Sequence, residues 1–261
     1  MQVRLFQLDS FTKTRFAGNP AAVMLLDTFP ADSVMQSIAD ENNLAETAFL
    51  VPDGSDYRLR WFTPKVEVPL CGHATLASAA VVMERLEPGR SKVTFHTASG
   101  PLPVEKTAGG YVMDFPTRPA KAVSSPDGLA AALGATPIEI LGNRFNLMVL
   151  LQDEATVRSL APDLDAVAAL PYPGVIVTAR GAEPYDFVSR YFAPAKGIPE
   201  DPVTGGAHTM LVPYWAQQLG KSEFLAYQAS RRGGEIRCTL TGDRVLLEGA
   251  CVFYFDGLAE I

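Results

Sequence analysis

One short pattern occurs twice in this chain, and it fixes more of the fold than any other feature. Arg60-Trp61-Phe62-Thr63-Pro64 runs on to Cys71-Gly72-His73-Ala74-Thr75. Arg190-Tyr191-Phe192-Ala193-Pro194 runs on to Asp201-Pro202-Val203-Thr204-Gly205-Gly206-Ala207-His208. Each copy joins a β-rich segment to a glycine turn and then to an Ala-rich helix, Ala74 to Met83 in the first and Ala207 to Leu219 in the second. A surface helix would show a polar stripe, and a helix that is apolar on nearly every face has to be enclosed. Two such helices call for two enclosing shells, with two helix N-termini expected to converge on one cleft between related lobes.

The order of elements around each copy strengthens this reading. In the first half, Pro30-Ala31-Asp32-Ser33 opens a helix whose apolar residues Val34, Met35, Ile38 and Ala39 recur at helical spacing. Leu44 to Val51 and Tyr57 to Phe62 read as strands, and Pro88-Gly89 closes the apolar helix. Val93 to Thr97, Leu102 to Lys106 and Gly110 to Phe115 alternate like antiparallel strands. Periodicity is lost over Thr117 to Lys121, the expected linker. Beyond it come a strand at Phe145 to Leu151, a helix at Asp163 to Leu170 and strands at Gly174 to Thr178 and Phe187 to Phe192. The second turn and helix follow, with Pro213 expected to kink or shorten that helix. The expected domains are 1–118 and 119–250, an internal duplication in preference to one mixed α/β domain. The last strand, near 251–261, is expected to cross back and complete the first lobe.

Composition narrows the function classes. A net charge of −7 gives no electrostatic reason to expect nucleic acid or an anionic membrane surface. No run approaches the roughly 18 apolar residues of a membrane span. The cysteines, at 71, 238 and 251, are odd in number and unpaired in spacing, which argues against a disulfide framework or a structural zinc site. With no basic stretch and apolar signal core at the start, a reducing cytoplasm is the expected location.

Two of the three histidines, His73 and His208, fall in the repeated turns. A helix N-terminus presents unpaired N–H groups and the positive end of the dipole, and glycine lets the backbone approach a ligand. Gly72 and Gly205-Gly206 therefore suit a carboxylate or phosphate, although either could be only a tight strand-to-helix turn. Neither resembles a nucleotide-binding glycine loop, and no nucleotide cofactor is expected. Glu46 is expected on a strand face with Leu44, Ala48 and Leu50. A carboxylate desolvated there can take and return a proton near neutral pH. A strand-edge glutamate facing solvent is the blander reading, but no Lys or Arg nearby in sequence explains Glu46 as a surface ion pair. His73 could donate to a substrate oxygen or relay a proton. Asp201 could orient a substrate amine or hydroxyl, or simply stabilise its helix. No metal is expected, because His73 and His208 lack companion ligands at metal-binding spacing. Cys71 is the competing base or nucleophile, but a two-thiol racemase would want a thiol in the second turn, where Thr204 stands.

These stretches, with Phe16-Ala17-Gly18-Asn19-Pro20-Ala21-Ala22-Val23, Leu44-Ala45-Glu46-Thr47-Ala48-Phe49 and Glu67-Val68-Pro69-Leu70-Cys71-Gly72-His73, closely resemble the PhzF-like, phenazine-biosynthesis family of isomerases. The resemblance covers essentially the whole chain. It implies an α+β, diaminopimelate epimerase-like fold: two pseudo-symmetric lobes, each a curved, mostly antiparallel sheet wrapped around a central apolar helix. It also implies that Glu46 is the acid/base of a cofactor-independent isomerase acting on a small cyclic or unsaturated carboxylate. His73 and Asp201 would then line the same site, and Gly72, Gly205 and Gly206 would hold the substrate carboxylate. A homodimer is implied as well. The phenazine enzyme carries serines where this chain has Ala45 and Gly206, so its substrate does not transfer. The alternatives are a Cys71-based racemase, epimerase or dehydratase on the same fold, or a non-catalytic binding protein.

Overall fold

A computed structural model describes every residue, Met1–Ile261. In chain order the first elements are β1 (Gln2–Ser10), β2 (Asn19–Leu25), α1 (Asp32–Asn42), β3 (Glu46–Asp53), β4 (Asp56–Phe62), β5 (Glu67–Val68), α2 (Gly72–Val81), β6 (Lys92–Thr97), β7 (Gly100–Lys106) and β8 (Tyr111–Pro116). Next come β9 (Lys121–Ala122), α3 (Leu129–Leu133), β10 (Glu139–Gly142), β11 (Leu147–Leu150), α4 (Glu154–Ser159), α5 (Leu164–Ala168), β12 (Val175–Arg180), β13 (Phe187–Ala193) and β14 (Ile198–Asp201). The chain ends with α6 (Gly205–Leu219), β15 (Glu223–Gln228), β16 (Gly234–Thr241), β17 (Arg244–Gly249) and β18 (Cys251–Glu260). No helix is long and apolar enough to cross a membrane.

Two compact units result: Met1–Asp114 together with Glu248–Ile261, and Phe115–Leu247. In the first, β1 pairs antiparallel with both β2 and β18. Strand β2 runs parallel to β3, β3 antiparallel to β4, and β4 parallel to β6. Parallel neighbours need a crossover, and α1 and α2 supply the two here. The exposed start of α1 is acidic, Asp32 favouring the positive end of its dipole. Met35 and Ala39 are its buried side, while Val34 stays 42% exposed.

Helix α2 lies against β1, β2 and β3, and every residue from His73 to Val81 is buried. Its hydroxyls cost little there because they bond within the helix. Thr75 Oγ1 donates to the Cys71 carbonyl at 2.5 Å and Ser78 Oγ to the Ala74 carbonyl at 2.7 Å.

The second unit repeats this scheme of connections. Strand β11 runs parallel to β12, β12 antiparallel to β13, and β13 parallel to β15. The crossovers carry α4 with α5, and then α6. Leu147, Val149, Val175, Val177, Val188 and Phe192 form the heart of its apolar cluster. Helix α6 continues through Pro213, where a kink or shortening was expected. Proline cannot pair with the Thr209 carbonyl four residues back, and that carbonyl instead accepts the Arg118 N–H at 2.9 Å. The unpatterned stretch around residue 118 thus belongs to the second unit and is tied to its central helix.

Candidate active site

Glu46 opens β3, whereas the sequence pattern predicts a strand already starting at Leu44. Ala48 and Leu50 are fully buried on the same strand. The Glu46 side chain is only 11% exposed, and its ion-pair partner is His73, with Oε2 3.1 Å from Nε2. His73, the second residue of α2, is 5% exposed in its side chain. Its other ring nitrogen, Nδ1, faces the Asn19 amide nitrogen at 3.1 Å and the Cys71 sulfur at 3.5 Å. The His73 carbonyl accepts the Ser10 hydroxyl at 2.8 Å.

Strands β2 and β3 and the α2 turn therefore each contribute one group around a single imidazole, while Ser10 of β1 holds the His73 backbone. Asn19 is placed by its predecessor. Gly18 has φ +65°, and a Cβ there would lie 2.1 Å from the Ser10 carbonyl oxygen. Only glycine lets the chain double back into β2 at that point.

Burial, and then the Glu46 carboxylate, push the Cys71 thiol above its ordinary range, although the Ala74 N–H and His73 draw it down. The expected activation by the helix N-terminus is thus outweighed by desolvation. Burial disfavours a proton on His73, whereas the Cys71 sulfur and the Glu46 carboxylate favour one, and the balance is upward. Glu46, Cys71 and His73 could be taken for a metal-binding trio, since their ligand atoms lie within 4.8 Å of one another. However, the thiol and the carboxylate sit at different ring nitrogens. An ion bound by one nitrogen would leave its would-be co-ligand on the other edge of the ring.

The second turn is built differently. Thr204 precedes α6, and its N–H is taken by the Gln228 side-chain oxygen at 2.8 Å. Asp201 does not cap that N–H; its carboxylate accepts the Thr204 hydroxyl at 2.6 Å. Gln228 also donates to the Asp201 carbonyl at 2.7 Å. Gly205 and Gly206 begin the helix, and a Cβ on Gly206 would meet nothing within 4 Å. His208 is fully buried, with Nδ1 2.8 Å from the Thr204 carbonyl. Burial lowers its pKa to about 4, against the pull of that carbonyl. It is a neutral structural residue with no carboxylate partner.

Around Asp201, Lys196 and Asn146 carry no signal in the sequence, and Tyr191 shows there only as a residue of the repeated motif. The Lys196 ammonium donates to the Tyr191 hydroxyl at 3.0 Å, and that hydroxyl donates to Asn146 Oδ1 at 3.0 Å. Burial lowers the Lys196 pKa, and Asp201 opposes the shift. In the first unit, Ser10 is equally silent, and Asn19 shows only within the stretch that carries the family resemblance. Each lies dozens of residues from His73, and only strand pairing brings them to it.

The arginines of the repeated motif have a matching structural task. Arg60 forms a fork with Glu67, Nε and Nη2 lying 2.7 Å from the two carboxylate oxygens. Arg190 does the same with Glu200, at 2.7 and 3.1 Å. Each arginine pins the segment that returns to its turn.

Comparison with known proteins agrees with this architecture. The profile of the phenazine biosynthesis-like proteins, PhzC-PhzF, matches residues 8–257. An uncharacterised isomerase of Pseudomonas aeruginosa is 50% identical, over 98% of this chain and 98% of its own. The crystal structure of a PhzF-family phenazine biosynthesis protein from Enterococcus faecalis superposes with a TM-score of 0.96 at 43% identity, over 100% of both chains. A probable proline racemase from Agrobacterium radiobacter shares the fold at 10% identity, with a TM-score of 0.64 over 99% of this chain and 92% of that one. On its matched length and on the architecture of both units, this chain belongs to the phenazine biosynthesis-like, PhzC-PhzF, family of isomerases.

Proposed function

We propose that the protein is a cofactor-independent isomerase that moves a proton between two carbons of a small cyclic or unsaturated carboxylate, with Glu46 as the single acid/base. The carrying observation is that a buried carboxylate has an imidazole nitrogen, His73 Nε2, 3.1 Å away and no Lys or Arg ion-pair partner. Such a carboxylate has a polar group within reach of its proton without being locked into a structural ion pair with Lys or Arg. In this reading Glu46 takes the proton from one carbon, and the bonding pair left behind spreads into the conjugated system of the substrate. Glu46 then returns the proton to a second carbon, so the double bond shifts and no redox partner is needed.

His73, whose Nε2 lies beside the carboxylate, donates to it as the proton moves. The helix N-termini at Gly72 and at Gly205-Gly206 supply N–H groups for the substrate carboxylate. Asp201, anchored by Thr204, orients a polar substituent. The shared order of connections and the matched arginine forks support the further reading that the units are diverged copies. The Cys71-based alternative is disfavoured by a thiol that burial keeps protonated.

The test is turnover of a panel of small cyclic and unsaturated carboxylates in D2O, followed by proton NMR. The expected product carries deuterium at the carbon that gains the proton, and the matching amides are not turned over. A product formed with no exchange of solvent hydrogen, or formed equally from the amides, would count against the proposal.

A further inference from the structure

We infer that Arg118 and Arg144, gathered on the ring of Phe145, receive a second oxyanion of the ligand, which is therefore a small carboxylate that also carries another carboxylate or a phosphate. This names the substrate class for the isomerase reading, and rests on that reading only in calling the ligand a substrate. The Arg118 guanidinium carbon lies 4.2 Å from the centre of the Phe145 ring, and that of Arg144 lies 4.6 Å from it. Arginine stacks on an aromatic face through its flat side and leaves its N–H edge free. Neither guanidinium has an ion pair or a side-chain hydrogen bond. Both arginines of the repeated motif, by contrast, are forked to glutamates. The chain carries a net charge of −7, so a shortage of acids does not explain two cations held together without a carboxylate. Burial, and then the charge of Arg144, pull the Arg118 pKa below its ordinary value. An oxyanion shared by the pair relieves that repulsion, and guanidinium forks match the oxygens of carboxylate and phosphate.

One side chain, Asn143, holds the backbones of both partners in place. Its Oδ1 accepts the Phe145 and Asn146 N–H groups at 2.9 and 3.1 Å, and its Nδ2 donates to the Arg118 carbonyl at 2.9 Å. The Arg118 N–H is taken by Thr209 of α6, so both backbone groups of that residue are fixed. The loop 143–146 leads into β11 as residues 16–19 lead into β2, the strand that begins the parallel pairing in each unit. In the first unit this loop delivers Asn19 to His73. In the second it delivers Asn146 to the Tyr191 hydroxyl, which also accepts from the Lys196 ammonium. Tyr191 pairs with Asp201 across β13 and β14, and Thr209 Oγ1 donates to the Gly206 carbonyl at 2.8 Å. The arginine pair therefore stands at the same end of the second unit as Asp201 and the Gly205-Gly206 turn. The turn offers N–H groups to one carboxylate, and the arginines supply a separate cationic locus for the other anion. A pair already ordered by its ring and by Asn143 adds affinity at little entropic cost.

The test is nitrogen-15 NMR of the protein labelled at arginine Nε, with Arg118→Gln and Arg144→Gln assigning the two signals. Inorganic phosphate is the first probe. Crotonate follows as a ligand with one anionic group, and fumarate, glutaconate and phosphoenolpyruvate as ligands with a second one at differing reach. Phosphate is expected to move both signals in one saturable titration. At least one of the doubly anionic ligands should bind about tenfold tighter than crotonate, and this gap should close in either Gln variant, as the loss of one charge-assisted bond implies. Arg144→Lys keeps the charge without the fork and should retain only part of the preference. If Arg118→Gln does not fold, Arg144→Gln, at an exposed position, carries the comparison alone. Arginine signals that stay still with phosphate and with every doubly anionic ligand overturn the inference. So does movement by phosphate with no such ligand preferred over crotonate, or a preference that survives both substitutions. A ligand bound through the arginines yet isomerised without uptake of solvent deuterium would instead overturn the isomerase reading and leave the role of the pair standing.

Discussion

The two glycine turns start from the same motif and reach opposite electrostatic solutions. Both follow a forked arginine–glutamate pair, and both open an enclosed helix through a histidine-bearing first turn. In the first turn the imidazole lies between a thiol and a carboxylate, and its proton affinity is drawn up. In the second the imidazole bonds only to its own helix, and burial drives its pKa to about 4. The first turn thus has the parts for proton transfer. The second has fixed donors, a tethered carboxylate and open space at Gly206. Shared backbone architecture has not imposed shared chemistry; the neighbours of each histidine decide that.

The largest expected effect on folding breaks the first turn's support. Gly18→Ala places a Cβ against the Ser10 carbonyl in a left-handed conformation. It should cost roughly 3 kcal/mol or more by strain and overpacking, visible as a large fall in the urea midpoint. A near-neutral result would mean that Asn19 is not held by this turn.

The arginine forks come next. Arg190 is 11% exposed in its side chain and also donates to the Val157 and Leu160 carbonyls, at 3.3 and 2.6 Å. Arg60 is 25% exposed and its partners are more solvated. Arg190→Ala is therefore expected to cost about 3 kcal/mol, towards the range for breaking a buried pair. Arg60→Ala should cost about 1 kcal/mol. Equal losses in thermal or urea unfolding would contradict the claim that burial separates the two forks.

A third contrast is in pH. The folded-state pKa of His208 lies below its unfolded value near 6.5. The stability it contributes is therefore complete above about pH 6.5 and is lost as pH falls towards 4. The full loss is about 3 kcal/mol. His208→Gln should flatten this part of the acid limb relative to the wild type, and an unchanged limb would show that other groups carry it. Gly206→Ser should have the smallest effect, within about 0.5 kcal/mol, because the new side chain enters open space. A large destabilisation would mean that the second turn is as tightly packed as the first.

Much of this fold was legible because its signals are local. The apolar runs of α2 and α6, the strand alternation and the repeated turn are all written over short windows. Glu46 stood out because it was a lone carboxylate within an apolar strand pattern, and His73 because it fell in a glycine turn. What could not be read depends on distance along the chain. Asn19 meets His73 only through the β1–β2–β3 pairing, and Gln228 reaches Thr204 only because β15 returns beside β13. The continuity of α6 through Pro213 likewise depends on the Arg118 N–H, which no helical pattern reveals. The contrast between the two histidines was also hidden, since sequence shows both in equivalent turns but not which one has a carboxylate.

The central claim is that Glu46, beside His73, carries the proton and that Cys71 does not. It is tested most directly by solvent deuterium incorporation into a turned-over carboxylate, measured for the wild type, Glu46→Gln and Cys71→Ala side by side. The account predicts a loss of about 10²–10⁴-fold in Glu46→Gln and persistent exchange in Cys71→Ala. Exchange that persists in Glu46→Gln and collapses in Cys71→Ala would contradict it.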